Sequence, residues 1–262
     1  MIRSLYTAAT GMGAMDFNMG VIANNLANVN TNGFKKDRAD FQDLIYQTTR
    51  VVGTLSEAGN QIPTGVQMGL GVKPAAVQKI FLQGDFVHTG NDLDLAISGK
   101  GFFQVTQADG SIAYTRAGSF KIDNTGALVT SDGLRVEPTV TLPTDATAIS
   151  VDNSGGVFVT QPGVTTPTLV GTLQLASFVN QAGLRPIGKN LFLESDASGP
   201  PTTGTAGTNE FGTIDQGFLE LSNVSIVDEL VAMITGQRAY EVNSKAIQAS
   251  DEMLQTANGL KR

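Results

Sequence analysis

The chain has 262 residues, of which 16% are charged and 41% hydrophobic, and a formal net charge of −7. This is the composition of a folded protein with enough apolar residues for one large domain or two of ordinary size. Lysine and arginine are scattered along the chain and not clustered, which argues against a nucleic-acid surface. The sequence has no cysteine and one histidine, His88, so zinc sites and thiol catalysis lack their usual ligands.

Glycine, threonine and aspartate interrupt the first 20 residues, so no apolar core of a secretory signal forms. No apolar run approaches the roughly 20 residues that span a bilayer. We therefore expect no cleaved signal peptide and no membrane span. If the protein leaves the cytoplasm, it does so by a route that does not read such a signal.

The first predicted element is a helix from Ser4 to Asn32, about 43 Å long at 1.5 Å per residue. Its apolar residues recur at alternating steps of four and three, which is the spacing of a coiled-coil seam. The seam consists of Ala8, Met12, Met15, Met19, Ile22, Leu26 and Val29. An isolated helix of this length is only marginal in water, so the seam needs a partner.

Small and amide residues accompany this seam. Gly11, Gly13 and Gly20 indicate either close lateral packing or neutral variation. Asn18 and Asn25 lie beside the seam, and their amides either face solvent or bond to another chain. We expect the helix to end in a Schellman cap, with a left-handed Gly33 and with Phe34 folded back as its apolar contact.

A second helix is predicted from Ile226 to Asn258, about 50 Å long. Ser225 and Asp228 form an approximate capping box at its start. Its seam residues are Ile226, Leu230, Met233, Ile234, Tyr240, Ile247 and Leu254, widened by Val242, Ala246, Ala249 and Met253. The two helices match in length, so we expect them to pair as a coiled coil.

Between the helices, short apolar runs alternate with Asp-Gly and Asp-Asn-Thr-Gly turns, which is typical of β-hairpins. The sequence predicts an α+β protein with a central all-β barrel or sandwich. The expected domains are residues 1–33 and 222–262 (inner assembly helices), 34–92 (an extended connector with a Gly-rich arm at about 46–71) and 93–221 (the β domain). We expect residues 195–209 to form a polar surface loop.

No motif marks a catalytic site. A Ser-His-Asp site would have to use His88, but the sequence contains no nucleophile elbow. Gly99-Lys100-Gly101 lacks the spacing of a phosphate-binding loop. The two Asp-Asn-Ser/Thr-Gly turns lack the distal glutamate of a calcium loop. We expect no enzymatic activity, no cofactor and no metal.

At residues 23–34, ANNLANVNTNGF, the sequence resembles the rod and hook proteins of the bacterial flagellum. The resemblance continues at residues 101–105 and 114–120 and returns at residues 229–243, whereas residues 141–215 carry little of it. The residues that carry the motif are Asn24, Asn25, Leu26, Asn28, Thr31, Gly33, Phe34, Arg238, Tyr240 and Asn243.

Within that family, the chain length and the segment from Tyr46 to Gly71 resemble the distal rod members, since hook proteins are generally longer. The resemblance implies a structural subunit that self-assembles into a rigid hollow tube and transmits motor torque to the hook. It also implies partners: copies of itself, proximal rod proteins, the hook protein, and the P-ring and L-ring proteins. The implied location is the flagellar basal body, spanning the periplasm, after flagellar type III export.

Two alternatives remain open: a proximal rod or hook subunit, and a carbohydrate-binding or adhesive β protein with helical oligomerisation arms. Energetic estimates favour assembly of several copies over pairing of the two helices within a single subunit. Each seam residue contributes about 1 to 1.5 kcal/mol on burial, but each ordered residue costs about 1 to 2 kcal/mol of backbone entropy. We therefore expect the terminal helices to gain stability from further copies.

Overall fold

A computed structural model describes residues 2–51, 64–164, 166–208 and 210–259. Two helices flank a β-rich middle: α1 spans Ile2–Ala27 and α2 spans Ile226–Gly259. The described residues fall into two compact units. The first lies within Met1–Leu26, Asp37–Gln78 and Ser225–Arg262, and the second within Ala27–Lys36 and Lys79–Val224.

Helix α1 ends at Ala27, earlier than the predicted Asn32. The backbone N–H of Thr31 donates to the carbonyl of Asn28 (3.1 Å), so the Asn-rich segment forms turns and not a last helical turn. Asparagine and threonine side chains favour such turns over helix. Gly33 has the predicted positive φ (71°), but its N–H donates to the carbonyl of Glu220 (2.8 Å). The prediction of a helix cap at Gly33 was therefore wrong.

Helix α2 begins where the sequence predicts. The backbone N–H of Asp228 donates to the hydroxyl oxygen of Ser225 (3.4 Å), as in an N-terminal cap. Asp228 and Glu229 lie in the first turn, where the helix dipole favours negative charge.

The first unit also contains four strands: β1 (Asp37–Asp43), β2 (Tyr46–Arg50), β3 (Val66–Gly69) and β4 (Val72–Lys79). Strand β1 pairs with β4, and β2 pairs antiparallel with β3. The sequence predicts one strand through Val66 and Val72, but Gly71, with a φ of 120°, separates β3 from β4. The rest of the predicted arm, residues 52–63, lies outside the described residues.

The second unit contains sixteen strands in its described residues. They are β5 (Phe86–His88), β6 (Leu95–Ser98), β7 (Phe102–Thr106), β8 (Ile112–Thr115), β9 (Lys121–Ile122), β10 (Leu128–Val129), β11 (Arg135–Glu137), β12 (Ala148–Val151), β13 (Gly156–Thr160), β14 (Thr168–Thr172), β15 (Gln174–Ser177), β16 (Arg185–Gly188), β17 (Leu191–Leu193), β18 (Thr202–Thr205), β19 (Thr213–Gln216) and β20 (Phe218–Glu220).

The largest sheet has the order β16-β17-β8-β7-β11-β10-β9, with β15 paired to β7 and β18 paired to β15. This path does not close on itself within the described residues, so the predicted barrel is not formed. A three-stranded sheet, β12-β13-β14, and the pairs β19-β6 and β20-β5 complete the unit. The prediction of two terminal helices with a β-rich middle is confirmed.

Strand β7 is central because both of its faces are buried. Phe103 and Val105 point into the main core with Leu175, whereas Phe102 points into a second, aromatic cluster with Phe178. Alternation along a strand sends neighbouring side chains to opposite faces, which explains the double burial. The rings of Phe102 and Phe178 meet edge to face at 6.0 Å.

The predicted loop at residues 195–209 was wrong in part, because it contains β18, which pairs with β15. Thr202, Thr203 and Thr205 are β-branched and favour strand. The sequence also predicts one strand from Thr172 to Phe178, but two strands lie there, since β14 ends at Thr172 and β15 begins at Gln174.

Replacing Gly33 tests the close approach of the backbone at this turn. A Cβ at Gly33 would lie 2.6 Å from the backbone nitrogen of Ala117, whereas one at Gly110, which also has a positive φ, meets no atom within 4 Å. We expect Gly33→Ala to lower the free energy of unfolding by about 2 kcal/mol more than Gly110→Ala, because it adds overpacking to backbone strain. Chemical denaturation of the full chain measures both, and equal losses would contradict the clash.

Candidate assembly surface and buried ionic cluster

Helices α1 and α2 contact each other in antiparallel order within the first unit. The contacts recur about every seven residues: Ser4 with Ser250, Gly11 with Asn243, Met19 with Gly236, and Asn25 with Glu229. The hydroxyl oxygens of Ser4 and Ser250 are 3.2 Å apart. A Cβ at Gly11 would lie 3.1 Å from the amide nitrogen of Asn243, so the glycine makes room for that side chain.

Apart from Met19, which belongs to the seam, the residues in this line of contacts are polar or small and lie outside the apolar seam. Of the α1 seam residues, Ala8 and Ile22 are buried. Half-buried are Met12, Met15, Met19, Leu26, Val29, Met233, Ile247 and Leu254, whereas Leu230, Ile234 and Tyr240 are exposed. The described contacts therefore leave much of the predicted seam accessible within the subunit.

Asn25 joins three elements of the first unit. Its amide nitrogen donates to the carbonyl of Asp37 (2.8 Å) and to the carboxylate of Glu229 (3.3 Å), and its amide oxygen accepts from the N–H of Asp37 (2.8 Å). The side chain thus pairs with the start of β1 as a neighbouring strand would. Asn25 and Glu229 are 1% and 2% exposed, so Asn25 faces neither solvent nor another chain.

The other motif residues take local positions. Asn24 donates to the carboxylate of Asp37 (3.3 Å), and the hydroxyl of Thr31 donates to the side-chain oxygen of Asn28 (3.2 Å). Phe34 is buried below the ammonium of Lys79, 4.9 Å from the ring centre. Arg238 is exposed.

An apolar stripe on α2 has no cover in the described structure. The stripe consists of Val227, Leu230, Val231, Ile234 and Val242, with exposures between 43% and 69%. Single exposed apolar residues are ordinary, but a row of them on one helix indicates an interaction surface. On α1, Tyr6 and Phe17 are exposed as well.

A buried ionic cluster lies in the second unit. The ammonium of Lys35 donates to the carboxylate of Glu220 (2.6 Å) and to the carbonyl of Leu82 (2.7 Å). The guanidinium of Arg116 lies beside the other carboxylate oxygen of Glu220 (Nε to Oε2, 3.5 Å) and donates to the carbonyl of Gly99 (2.7 Å). Lys35, Arg116 and Glu220 are 1%, 5% and 1% exposed.

The environment opposes both positive charges of this cluster. Burial lowers the pKa of Lys35, the Glu220 carboxylate partly offsets this, and the charge of Arg116 lowers the pKa further. Burial likewise lowers the pKa of Arg116, and Glu220 acts against that shift. Glu220 is thus the counter-charge that makes two buried cations tolerable.

The cluster brings together stretches that carry the family resemblance. Gly33 turns the chain so that Lys35 enters the core, and it packs against the backbone of Arg116 and Ala117. Sequence reasoning missed Lys35, Arg116 and Glu220 as a site. The available signal was a single charge within each apolar motif, at Lys35 after Phe34 and at Arg116 within YTRAGSF.

No group of three or more histidine, cysteine or acidic residues in the described ranges is placed to hold a metal ion. No described helix is long and apolar enough to cross a membrane. His88 lies in β5, and the centre of its ring is 5.0 Å from that of Phe218.

The helix register can be tested by crosslinking, because the chain has no cysteine of its own. We expect the double variant Ser4→Cys/Ser250→Cys to form an intramolecular disulfide under mild oxidation, since the two hydroxyl oxygens are 3.2 Å apart. The pair Ser4→Cys/Ala246→Cys lies one helical turn out of register and is the control. Non-reducing electrophoresis of dilute protein reads the result, and equal crosslinking of both pairs would contradict the register.

The ionic cluster predicts a large cost for removing its carboxylate. We expect Glu220→Gln to lower the free energy of unfolding by about 3 to 5 kcal/mol, because it leaves two buried cations without a counter-charge. Glu210→Gln removes an exposed carboxylate of the same unit and should cost less than about 1 kcal/mol. Denaturant titration followed by tyrosine fluorescence distinguishes them, and a small loss in Glu220→Gln would show that the cluster is not energetically coupled.

Three family models match the chain. They are "Flagella basal body rod protein" at residues 5–35, "Flagellar hook protein FlgE/F/G D1 domain" at residues 96–159 and "Flagellar basal body rod FlgEFG protein C-terminal" at residues 215–260. The matches include α1, part of the β-rich unit and α2.

Full-length relatives agree with these models. The chain is 48% identical to the flagellar basal-body rod protein FlgG of Buchnera aphidicola from Acyrthosiphon pisum, over 99% of this chain and 100% of the relative. It is 49% identical to FlgG of Caulobacter vibrioides over the same shares, and 42% identical to FlgG of Bacillus subtilis over 100% of both chains. The chain therefore belongs to the family of flagellar basal-body rod proteins and is a structural subunit of the rod.

Proposed function

We propose that copies of this chain assemble into the distal rod as a rigid hollow tube that transmits torque from the motor to the hook. The observation that carries the proposal is the apolar stripe on α2, which stays exposed although α2 already contacts α1. A drive shaft needs strong, repeated contacts between identical subunits. An exposed apolar helix face supplies such contacts when the next copy covers it.

Energetics support the use of this stripe between copies. Full burial of a valine, leucine or isoleucine side chain contributes about 1.5 to 3 kcal/mol. The five stripe residues are about half exposed, so covering them contributes on the order of 5 kcal/mol per subunit. The polar contacts between α1 and α2 contribute little hydrophobic energy, so the helices depend on neighbouring copies for much of their stability.

The two helices, in this proposal, form an antiparallel coiled coil of the inner assembly domain, residues 1–33 and 222–262. Their seven-residue contact interval matches the heptad. The half-buried seam residues Met12, Met15 and Met19 would complete their burial against other copies. Methionine suits that role because its flexible side chain adapts to more than one partner. The β domain, residues 93–221, would form the outer layer.

The proposed partners follow from the proposed role as a distal rod subunit. Proximal rod proteins and the hook protein would contact the two ends of the tube, and the P-ring and L-ring proteins would surround it. The tube would span the periplasm within the basal body, and the subunit would reach it by flagellar type III export without a cleaved signal. The role is mechanical, and the proposal includes no enzymatic step.

A charge on the apolar stripe should block polymerisation. We expect Leu230→Asp to remain folded as a subunit but to form no polymer, because burying an unpaired carboxylate between copies costs several kcal/mol. Gln248→Asp places the same charge on an exposed polar position of α2 and should polymerise normally. Circular dichroism checks folding, and analytical ultracentrifugation with electron microscopy checks the polymer.

Amide exchange of the wild-type chain completes that experiment. Protection of α1 and α2 should rise when the polymer forms, since neighbouring copies then cover the stripe. If Leu230→Asp polymerises as well as Gln248→Asp, the stripe is not the subunit interface.

A proximal rod or hook subunit is the second candidate, and the β2–β3 arm separates the two. Both strands are exposed along their length, so the arm has surface available for neighbouring copies. We expect deletion of Thr48 to Gly65 to convert a straight tube into a curved one, because contacts of the arm would stiffen the distal rod. Electron micrographs measure the curvature. A tube that stays straight would favour the proximal rod.

A further inference from the structure

The chain has two Asn-Gly dipeptides, Asn32-Gly33 in the second unit and Asn258-Gly259 at the end of α2. Asparagine followed by glycine is the pair most prone to deamidation, because no side chain hinders the glycine nitrogen and the glycine backbone rotates freely. The reaction closes a five-membered ring between the asparagine side chain and the next backbone nitrogen. The local structure therefore decides whether either pair can react.

The peptide group between Asn32 and Gly33 is held at both ends. Its carbonyl oxygen accepts a hydrogen bond from the side-chain amide of Asn190 (3.0 Å), and its N–H donates to the carbonyl of Glu220 (2.8 Å). Gly33 is buried and packs so closely against Ala117 that a Cβ would lie 2.6 Å from the backbone nitrogen of that residue. This peptide group cannot rotate without breaking both hydrogen bonds.

The side chain of Asn32 is not held in the same way. It is half-buried, and its amide group bonds to none of the described residues. Ring closure needs the nitrogen of Gly33 to lose its proton and to reach Cγ of Asn32. In the folded chain that N–H donates to Glu220, so removing its proton would leave a negative nitrogen 2.8 Å from a carbonyl oxygen. The fold thus blocks the attacking nitrogen and not the side chain that it attacks.

We propose that Asn32 is a modification site of the unfolded chain, which deamidates there and which folding of the second unit protects. The nitrogen of Gly33 attacks Cγ of Asn32, the bond from Cγ to the side-chain nitrogen breaks, and ammonia leaves with the proton of the Gly33 N–H. Water then opens the resulting succinimide ring at one of its two carbonyls. One opening gives aspartate, and the other gives isoaspartate, in which the main chain continues through the former side chain.

Isoaspartate at position 32 is incompatible with the contacts of this turn. It adds one methylene group to the main chain between Cα of residue 32 and the amide that leads to Gly33. That amide can no longer bond to both Asn190 and Glu220, and its displacement moves Lys35, whose ammonium also bonds to Glu220 (2.6 Å). A chain that forms isoaspartate before it folds therefore cannot form the native ionic cluster. The reaction irreversibly marks chains that remain unfolded.

Deamidation rates in the folded and the denatured full chain test the protection. At mildly alkaline pH we expect Asn32 to deamidate steadily in guanidinium chloride. In native buffer it should react more than about tenfold more slowly, because both hydrogen bonds of the peptide group have to open first. Asn258, exposed at the end of α2, is the control within the same chain and should be protected less. Peptide mapping by mass spectrometry measures both rates.

Three results of that experiment would overturn the proposal. They are no deamidation of Asn32 in denaturant, equal rates of Asn32 in the two solutions, and equal protection of Asn32 and Asn258. The measurements use dilute subunits, so they do not depend on polymerisation or on the proposed function.

Refolding tests the consequence for the second unit. Wild-type chains aged in denaturant should lose the ability to refold in step with the isoaspartate formed at position 32. Asn32→Gln should keep that ability, since ring closure from a glutamine needs a less favourable six-membered ring. Asn258→Gln is the matched control and should lose refolding as fast as the wild type. Tyrosine fluorescence reads refolding, and equal losses in the two variants would overturn the proposal.

The wild-type chain also gives a test that needs no variant. After refolding, size exclusion of dilute protein separates native from unfolded chains, and peptide mapping should find isoaspartate at position 32 in the unfolded fraction only. Its presence in native chains would contradict the proposal. This measurement decides the question if Asn32→Gln does not fold.

Asn32→Asp separates the added methylene from the added charge. It carries the carboxylate of a deamidated chain on an unchanged main chain, and the side chain of Asn32 makes no hydrogen bond to a described residue that the substitution would remove. We expect freshly prepared Asn32→Asp to refold like the wild type. Failure of Asn32→Asp to refold would overturn the role given to the main chain.

Discussion

The ion pair between Lys35 and Glu220 is the interaction on which the second unit depends, because it ties the start of that unit to its end. Around it, the N–H of Gly33 donates to the carbonyl of Glu220, and the N–H of Lys36 donates to the side chain of Asn223 (2.8 Å). The segment after α1 and the segment before α2 therefore lie side by side. Since the pair is buried, the charges specify one arrangement: any other leaves a cation or carboxylate without its partner in the core.

The first unit uses polar groups in a comparable way. Asn25 bonds to Asp37 and Glu229, and Ser4 meets Ser250 at the other end of the helix pair. A buried amide at one position of a helix pair fixes register, because a shifted register leaves its donors and acceptors unsatisfied. Polar contacts thus set the alignment within a subunit, whereas the apolar stripe of α2 stays uncovered there. In the proposed polymer, contacts between subunits would use this stripe.

Much of the second unit was predictable from the sequence because its strands are bounded by local turn signals. Strands β7 and β8 form an antiparallel hairpin around Asp109-Gly110, one of the Asp-Gly turns that predict hairpins in the sequence. The open order of the large sheet was not predictable. It depends on β7 pairing with β11 and β15, which lie far away in sequence. The assembly seam remains a prediction, because the burial of its residues within one subunit does not test contacts with other copies.

The sequence by itself determined that both ends are helical, that the middle is β-rich and, through its motifs, which family the chain resembles. These features follow from local periodicity, turn chemistry and short residue patterns. Only the tertiary structure decided that the helices meet along Gly11 and Gly236, that Asn25 is buried within its own chain, and that Lys35, Arg116 and Glu220 share one site. Periodicity indicates that a helix has a face to bury. The partner of that face, like the partner of a buried charge, lies about two hundred or more positions away in the sequence.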